Sequence, residues 1–433
     1  MSRMEPLSLS IDYGKRGGKE RGTASPHAVC QILIQEGIVE RIAECVERIL
    51  SLSDELEASS SSLAIITDSN VAKIHGGRVA DVLSSISQGK LSVIKFPAGE
   101  KNKTLSTASE LARDLDKNGA DRKTLLFALG GGVVGDLAGF VASIYKRGIR
   151  YFQIPTTLLA QVDSSIGGKT GVDTEWGKNQ LGTFYEPLGV LIDPSLLDSL
   201  PKSEFINGLA EIVKTAVIYD RGMFERLRRL KDTDLRALAS LKPFIGETCK
   251  IKAKIVSTDE REDNLRAILN FGHTVGHSLE ASSKFRLSHG YSVILGMLAE
   301  GWIATRMSIL SREDFEVVES FLLRILTSYA DIPALGERRG ASAEESEFPR
   351  ALIMRTLRNE EVLERFALAD KKSTAWSNTI RMSLPEKVGR MMKGSEQEKK
   401  NGEESSYKIP TTSQMFVDSI RYLRSALYNF QAK

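Results

Sequence analysis

Apolar and polar positions change their rhythm once along this chain. In the first half, short runs rich in Val, Ile, Leu and Phe recur at Ser62–Thr67, Leu91–Phe96, Thr124–Leu129, Tyr151–Ile154 and Val190–Ile192. Runs of that length, apolar on successive residues, suit parallel strands buried on both faces. Between them lie segments of helical spacing, such as Leu105–Lys117 and Leu137–Lys146. The alternation predicts a parallel sheet with helices on its faces.

After Leu200 the pattern turns helical. Glu204–Val217, Leu235–Val256, His273–Glu280 and Val293–Arg306 read as helices, and strand signals nearly vanish. A boundary near 195–203 therefore separates an α/β domain, 28–200, from an α-helical domain, 201–433. Residues 1–27 read as an arm without fixed structure, and 393–410 as a polar insert. Gly336–Glu347 and Lys393–Ser406 are charged and rich in small residues, as surface loops are. Met415–Tyr428 has the spacing of a final docked helix, and no internal repeat is found.

Composition narrows the classes. The 433 residues carry 59 basic and 56 acidic side chains, a net charge of +3. That balance argues against nucleic acid as a partner. No stretch supplies the 18 or more apolar residues of a membrane span. Cys30, Cys45 and Cys249 are odd in number and lack metal or redox spacing, which suits a reducing compartment. The start of the chain mixes Arg3 and Lys15 with Glu5 and Asp12 and has no apolar signal core, so a cytoplasmic protein is expected.

Candidate chemistry falls in three places. Gly130-Gly131-Gly132-Val133-Val134-Gly135-Asp136 follows a strand and opens a helix. Glycines there let backbone approach a pyrophosphate at a helix N-terminus, although a tight strand-to-helix turn needs the same residues. The acid expected about 20 residues downstream in a Rossmann unit is missing, but Asp68 ends an earlier strand and could accept from a ribose. Pro97–Lys103 adds an acid and bases after another strand. Second, Pro155-Thr156-Thr157 through Lys169-Thr170, with Lys178-Asn179, gathers hydroxyls, glycines and cations suited to phosphate oxygens or to a polar surface loop. The ATP-binding P-loop does not fit, because Asp163 stands where its first glycine belongs.

Third, three of five histidines cluster: His273, His277 and His289. His273 and His277 are spaced i, i+4 on one helical face, so spacing alone picks them as a metal pair, with a core or surface pair as the plainer reading. Thr274 excludes the H-E-x-x-H protease motif. Glu211, one turn before Lys214, offers the carboxylate of a mixed site. Three protein ligands with an open position make a catalytic zinc arrangement.

Taken together, Gly130–Phe140, Arg147, Pro155–Thr170, Gly177–Asn179, Ala210–Lys214 and Arg266–His277 with His289 resemble the 3-dehydroquinate synthase family, over about Ala64 to Met391. The resemblance implies a Rossmann-like NAD-binding α/β domain joined to an all-α metal-binding domain, usually as a homodimer, with NAD held between the domains. It implies conversion of a seven-carbon keto sugar acid phosphate to 3-dehydroquinate and phosphate, in the shikimate route to aromatic compounds. It places zinc, or cobalt in its stead, on Glu211, His273 and His289, and makes His277 a neighbour of phosphate. It places NAD contacts on Asp68, Asn70, Val71, Glu100, Lys103, Gly131, Gly132, Asp136, Thr156, Thr157, Leu158, Asp163, Lys169, Lys178, Ser199, Leu200 and Ser203. Substrate contacts fall on Asp163, Lys169, Asn179, Lys214, Lys252, Arg266, Asn270 and His277, with Arg147 lent by the other subunit and Lys372 aligned only loosely. Lys252 and Arg266 would take the carboxylate.

Departures from the family pattern are Tyr291-Ser292 after His289-Gly290, where an acid and a small apolar residue are commoner, and serine for threonine at Ser199 and Ser203. The rival readings are a sedoheptulose-phosphate cyclase, a glycerol-dehydrogenase-like oxidoreductase and a non-catalytic nucleotide-binding protein. His277, Arg266 and Lys252 together favour the acid substrate.

Overall fold

The computed structural model describes residues 5–12, 29–52, 62–87, 91–332, 349–369, 379–394 and 406–429. Gly336–Glu347, Lys372 and residues 395–405 of the polar insert lie outside them. The chain forms two compact units, Met1–Leu200 with Lys252–Glu260, and Pro201–Ile251 with Arg261–Lys433.

The first unit is built on a seven-stranded sheet in the order β1-β2-β9-β6-β5-β3-β4. Its strands are β1 (Leu7–Asp12), β2 (Val29–Ile34), β3 (Leu63–Asp68), β4 (Leu91–Phe96), β5 (Leu125–Gly130), β6 (Tyr151–Pro155) and β9 (Gly189–Ile192). All neighbours run parallel except β1 and β2. Successive strand residues point to opposite faces, and both faces are apolar. Leu63, Ile65, Leu125, Phe127 and Leu129 pack with Ile42, Val46 and Ile49 of α1 (Ile42–Ser51) and Val79 and Leu83 of α2 (Gly77–Ser84). Ala64, Ile66, Leu126 and Ala128 pack on the other side with Leu111 and Leu115 of α3 (Leu105–Lys117) and Leu137 and Val141 of α4 (Gly132–Ile144).

One reading of the sequence needs correction here. Leu7–Asp12, taken as part of a structureless arm, is an antiparallel edge strand on β2, with Leu7 opposite Ile34 and Asp12 opposite Val29. Only Ile11 of that strand is buried, so its apolar signal is faint although its backbone is paired. Of the polar stretch read as a phosphate site or a surface loop, Lys169-Thr170 and Lys178-Asn179 lie in a hairpin of β7 (Lys169–Thr174) and β8 (Gly177–Phe184), in which Gly182 passes so close that a Cβ would lie 2.3 Å from the Thr170 carbonyl.

Helices dominate the second unit. These are α5 (Lys202–Tyr219), α6 (Arg221–Arg228), α7 (Leu238–Thr258, whose end belongs to the first unit), α8 (His273–Ser282), α9 (His289–Arg306) and α10 (Arg312–Ser328). They are followed by α11 (Pro349–Thr356), α12 (Glu360–Ala369) and α13 (Ser413–Asn429), the last docked through Phe416, Ile420 and Leu423. The near absence of strands past Leu200 is amended by two short ladders, Thr379–Met382 with Ile409–Thr412 and Pro385–Lys387 with Arg390–Met391. Ile409–Thr412 lies at the edge of the expected polar insert, and only pairing across a long separation gives it strand form. Among the described residues no helix is long and apolar enough to cross a membrane.

The contact between α8 and α9 is nearly backbone on backbone. A Cβ on Gly296 would lie 1.8 Å from the Gly272 carbonyl oxygen, and one on Gly276 would lie 3.1 Å from that of Ser292. Gly296→Ala should therefore destabilise by about 3 kcal/mol or more, since neither partner is a movable side chain. Gly119→Ala, with positive φ but open space around it, should cost only about 1–2 kcal/mol. Urea unfolding of both variants tests this order, and equal losses would contradict it.

Candidate active site

In the second unit three helices bring one ligand group each to a point. Glu211 comes from the buried middle of α5, His273 is the first residue of α8, and His289 is the first residue of α9. Their ligand atoms all lie within 4.8 Å of one another. Glu211 Oε1 is 3.0 Å from His289 Nε2 and 3.5 Å from His273 Nε2. Both outer ring nitrogens face acceptors: His273 Nδ1 meets the Phe271 carbonyl at 3.2 Å, and His289 Nδ1 meets Glu280 Oε1 at 2.9 Å. With each Nδ1 turned to an outer acceptor, both Nε2 atoms face the Glu211 carboxylate, which is how metal-bound histidines are held.

A carboxylate and two imidazoles are a donor set that fits a divalent cation such as zinc, supplying three of its usual four ligands. The electrostatics agree. Burial by itself would raise the Glu211 carboxyl, but Lys214 and His289 outweigh it and bring it down to about 2. Burial would depress His289, but its bonds to Glu211 and Glu280 push it up to about 10. The first shift keeps Glu211 ionised as a ligand must be, and the second shows that the two carboxylates beside His289 favour positive charge there.

The i, i+4 spacing of His273 and His277 does not produce a metal pair. The two rings stand edge to face with centroids 5.3 Å apart, His277 is exposed, and the carboxylate reaches His273 from another helix. Around the triad, Lys214 is 1% exposed and ion-paired with Glu211. Arg266 is buried, and the Asn270 amide contacts Glu262. Ser203 lies in the first turn of α5. Glu280, Glu262 and Glu300 escaped the reading of the sequence. Glu280 was findable, because it falls three residues after His277 and seven after His273, on their side of the helix.

In the first unit the residues assigned to NAD gather where ligands bind in such sheets, at the carboxyl ends of the parallel strands. Asp68 ends β3, Glu100 and Lys103 follow β4, Gly131, Gly132 and Asp136 follow β5, and Thr156, Thr157 and Leu158 follow β6. Asp68 Oδ1 also accepts the Asn70 and Val71 N–H groups at 2.7 and 3.0 Å, capping the helical turn that carries them. A Cβ on Gly131 would lie 2.9 Å from the Thr157 methyl, and one on Gly130 would lie 2.3 Å from a Val134 methyl, so glycine is needed at this turn for packing as well. Leu158 is fully buried. Leu200 is half-buried, and the Ser199 hydroxyl meets His75 Nε2 at 2.9 Å.

Lys103, 3% exposed, is the electrostatic centre of that edge. Its ammonium reaches Glu100 and Asp136 at 3.2 Å, Asp173 at 3.5 Å and Asn179 Oδ1 at 2.8 Å, and Lys178 pairs with Glu100 at 3.3 Å. Ammonium is donor-only, so it must face the Asn179 oxygen, and the amide NH₂ is turned outward as a pair of donors. Asn179 sits at φ 52 on the exposed β8. Burial raises Asp136 to about 6 despite Lys103 beside it. Lys252 donates to the Asp163 carbonyl and Oδ1, both at 2.6 Å. Lys169 is exposed at the start of β7, and Arg147 is exposed after α4 with φ 71.

The fold defines a Rossmann-like α/β unit joined in one chain to a helical unit that carries a candidate metal triad. The architecture matches that of 2-deoxy-scyllo-inosose synthase complexed with carbaglucose-6-phosphate, NAD+ and Co2+, with TM-score 0.74, 23% identity and coverage of 96% of this chain and 99% of that one. It also matches 2-epi-5-epi-valiolone synthase from Streptomyces hygroscopicus subsp. jinggangensis with NAD+ and Zn2+ bound, with TM-score 0.71, 25% identity and coverage of 94% and 99%. The 3-dehydroquinate synthase N-terminal model matches residues 93–207 and the C-terminal model matches 208–334. The 3-dehydroquinate synthase of Thermodesulfovibrio yellowstonii is 39% identical over 368 residues, 83% of this chain and 92% of that protein. This chain belongs to the 3-dehydroquinate synthase family. Its activity is the conversion of 3-deoxy-D-arabino-heptulosonate 7-phosphate to 3-dehydroquinate and phosphate, a step of the shikimate pathway.

His289→Ala should abolish stoichiometric zinc binding, while His277→Ala should keep zinc and lose turnover, as metal analysis of the two folded proteins will show. The reverse pattern would restore the i, i+4 pair. The Asp136 carboxyl has a folded pKa above its unfolded value, so the folded state holds its proton longer, and this group's contribution to stability falls as pH rises from about 4 to about 6. Relative to the parent, Asp136→Asn should gain stability across that window, by at most about 3 kcal/mol, and level off above it. Urea unfolding at several pH values measures the difference, and a flat difference would refute the shift.

Proposed function

We propose that this conversion depends on NAD recycled within each turnover and on a divalent metal, zinc or cobalt, held by Glu211, His273 and His289. The observation that carries the reading is the convergence of those three ligands with both Nδ1–H groups turned away from the centre. When bound, NAD supplies a reversible hydride acceptor, and the metal supplies a Lewis acid for a substrate hydroxyl.

The rest follows from the protein's own groups. Lys214, already paired with Glu211, puts a second cation beside the ligand carboxylate and can draw a substrate oxygen toward it. His277, exposed one turn beyond His273, and the Asn270 amide offer donors for phosphate oxygens in the second unit. In the first unit Lys169 and the outward NH₂ of Asn179 offer the same. Arg266 presents a planar fork suited to a carboxylate, and Lys252 a point charge that Asp163 orients. Phosphate departs once the neighbouring C–H has been acidified, and its own oxygens can take that proton, so the protein chiefly positions and neutralises charge.

A progress curve should show phosphate released with no matching NADH, and removal of metal by a chelator should stop release until zinc or cobalt is restored. NADH accumulating in step with phosphate would instead make the protein a net oxidoreductase.

A further inference from the structure

The two metal histidines share a peculiarity of placement: each is the first residue of its helix. The position of each imidazole is therefore only as well defined as the start of its helix. Helix starts are weak points, because their first N–H groups have no partner within the helix and tend to fray. The start of α8 has no cap of its own. Its N-cap residue is Gly272, at φ 80, which has no side chain to offer.

That start is capped from elsewhere. Glu300 of α9 is fully buried, and each of its oxygens accepts a backbone N–H from the first turn of α8: Oε2 from Gly272 at 2.7 Å and Oε1 from Val275 at 3.0 Å. A carboxylate at this position also complements the positive end of the α8 dipole. The return contact runs the other way. Glu280, near the end of α8, holds the Nδ1–H of His289, which opens α9. Each helix thus lends one buried carboxylate to the start of the other, and a metal histidine sits at each of those starts. Neither glutamate reaches the metal point itself, which is made by Glu211, His273 and His289.

We infer that Glu280 and Glu300 are reciprocal positioning residues of the metal centre, holding His289 and His273 respectively at ligand distance from Glu211. This rests on the metal reading given above. A glutamine at either position keeps size but not function. Its single oxygen can accept one N–H, while its NH₂ turns a donor toward the other N–H of the α8 start. At 280 it accepts from His289 as a neutral group and leaves the ring a poorer ligand. Because both changes loosen the same pair of helices, their effects should not be independent.

The test uses the full chain stripped of metal. Zinc affinity is read by competition with a chromophoric chelator, and coordination geometry by the visible absorption of the cobalt form. Glu280→Gln and Glu300→Gln should each retain the parent far-ultraviolet circular dichroism, bind zinc about 10–100-fold more weakly and shift the cobalt bands. The double variant should lose less than the product of the two. Glu280→Asp, which keeps the charge, should recover part of the affinity. Folded variants with zinc affinity within about twofold of the parent and unchanged cobalt bands would overturn the inference, as would a loss confined to one of the two. If Glu300→Gln does not fold, Glu280→Gln decides alone, because an unchanged centre there removes half of the pair. Glu211→Gln keeps the two readings apart. If the parent binds zinc no better than Glu211→Gln, the metal reading fails. If only Glu211→Gln loses zinc, the metal reading stands and the reciprocal brace fails.

Discussion

The approach of α8 to α9 is the constraint on which the second unit depends. Gly272 and Gly296 bring the two backbones to a separation that no Cβ could enter, and at Gly276 a Cβ would be tight against the Ser292 carbonyl. At that distance the carboxylate of Glu300 reaches the N–H groups of Gly272 and Val275. The same proximity lets Glu280 reach His289 across the pair. Small residues thus come first and buried hydrogen bonds second, and the ligand geometry follows from both.

Burial then sets the chemistry. Glu211 and Lys214 are both about 1% exposed, and such a pair persists only because each satisfies the other and His289 adds a further bond. In water the same groups would be a weak ion pair and an ordinary imidazole. Enclosed, they hold Glu211 ionised and fix the orientation of the imidazole beside it. The first unit uses the same device with opposite bookkeeping: one buried lysine, Lys103, faces three carboxylates and orients an amide. There burial of Asp136 outweighs the lysine beside it, and the carboxyl holds its proton to about pH 6.

The sheet explains why the residues proposed for the cofactor are scattered in sequence yet gathered in space. Asp68, Glu100, Gly131 and Thr156 are spread over nearly ninety positions, but each follows its own parallel strand, and parallel strands end on the same side. A helix-sized return after every strand is what makes the sequence spacing large and the spatial spacing small.

Much of this was legible in the residues. Both-face burial made the central strands visible as plain apolar runs, and β3 to β6 fall within a residue of where those runs lie. The metal triad was reachable only through resemblance, because Glu211, His273 and His289 come from three helices and nothing in local spacing links them. The sequence by itself determined the central parallel strands, the main helices, the glycine turn and the supply of imidazoles, since these depend on neighbours a few residues apart. Only the tertiary structure decided that Leu7–Asp12 is a strand, that Lys169 and Lys178 sit in one hairpin, and that His289 rather than His277 faces Glu211. Each of those outcomes depends on a partner far along the chain. Helical periodicity says which residues share a face, but only packing says which other helix that face meets.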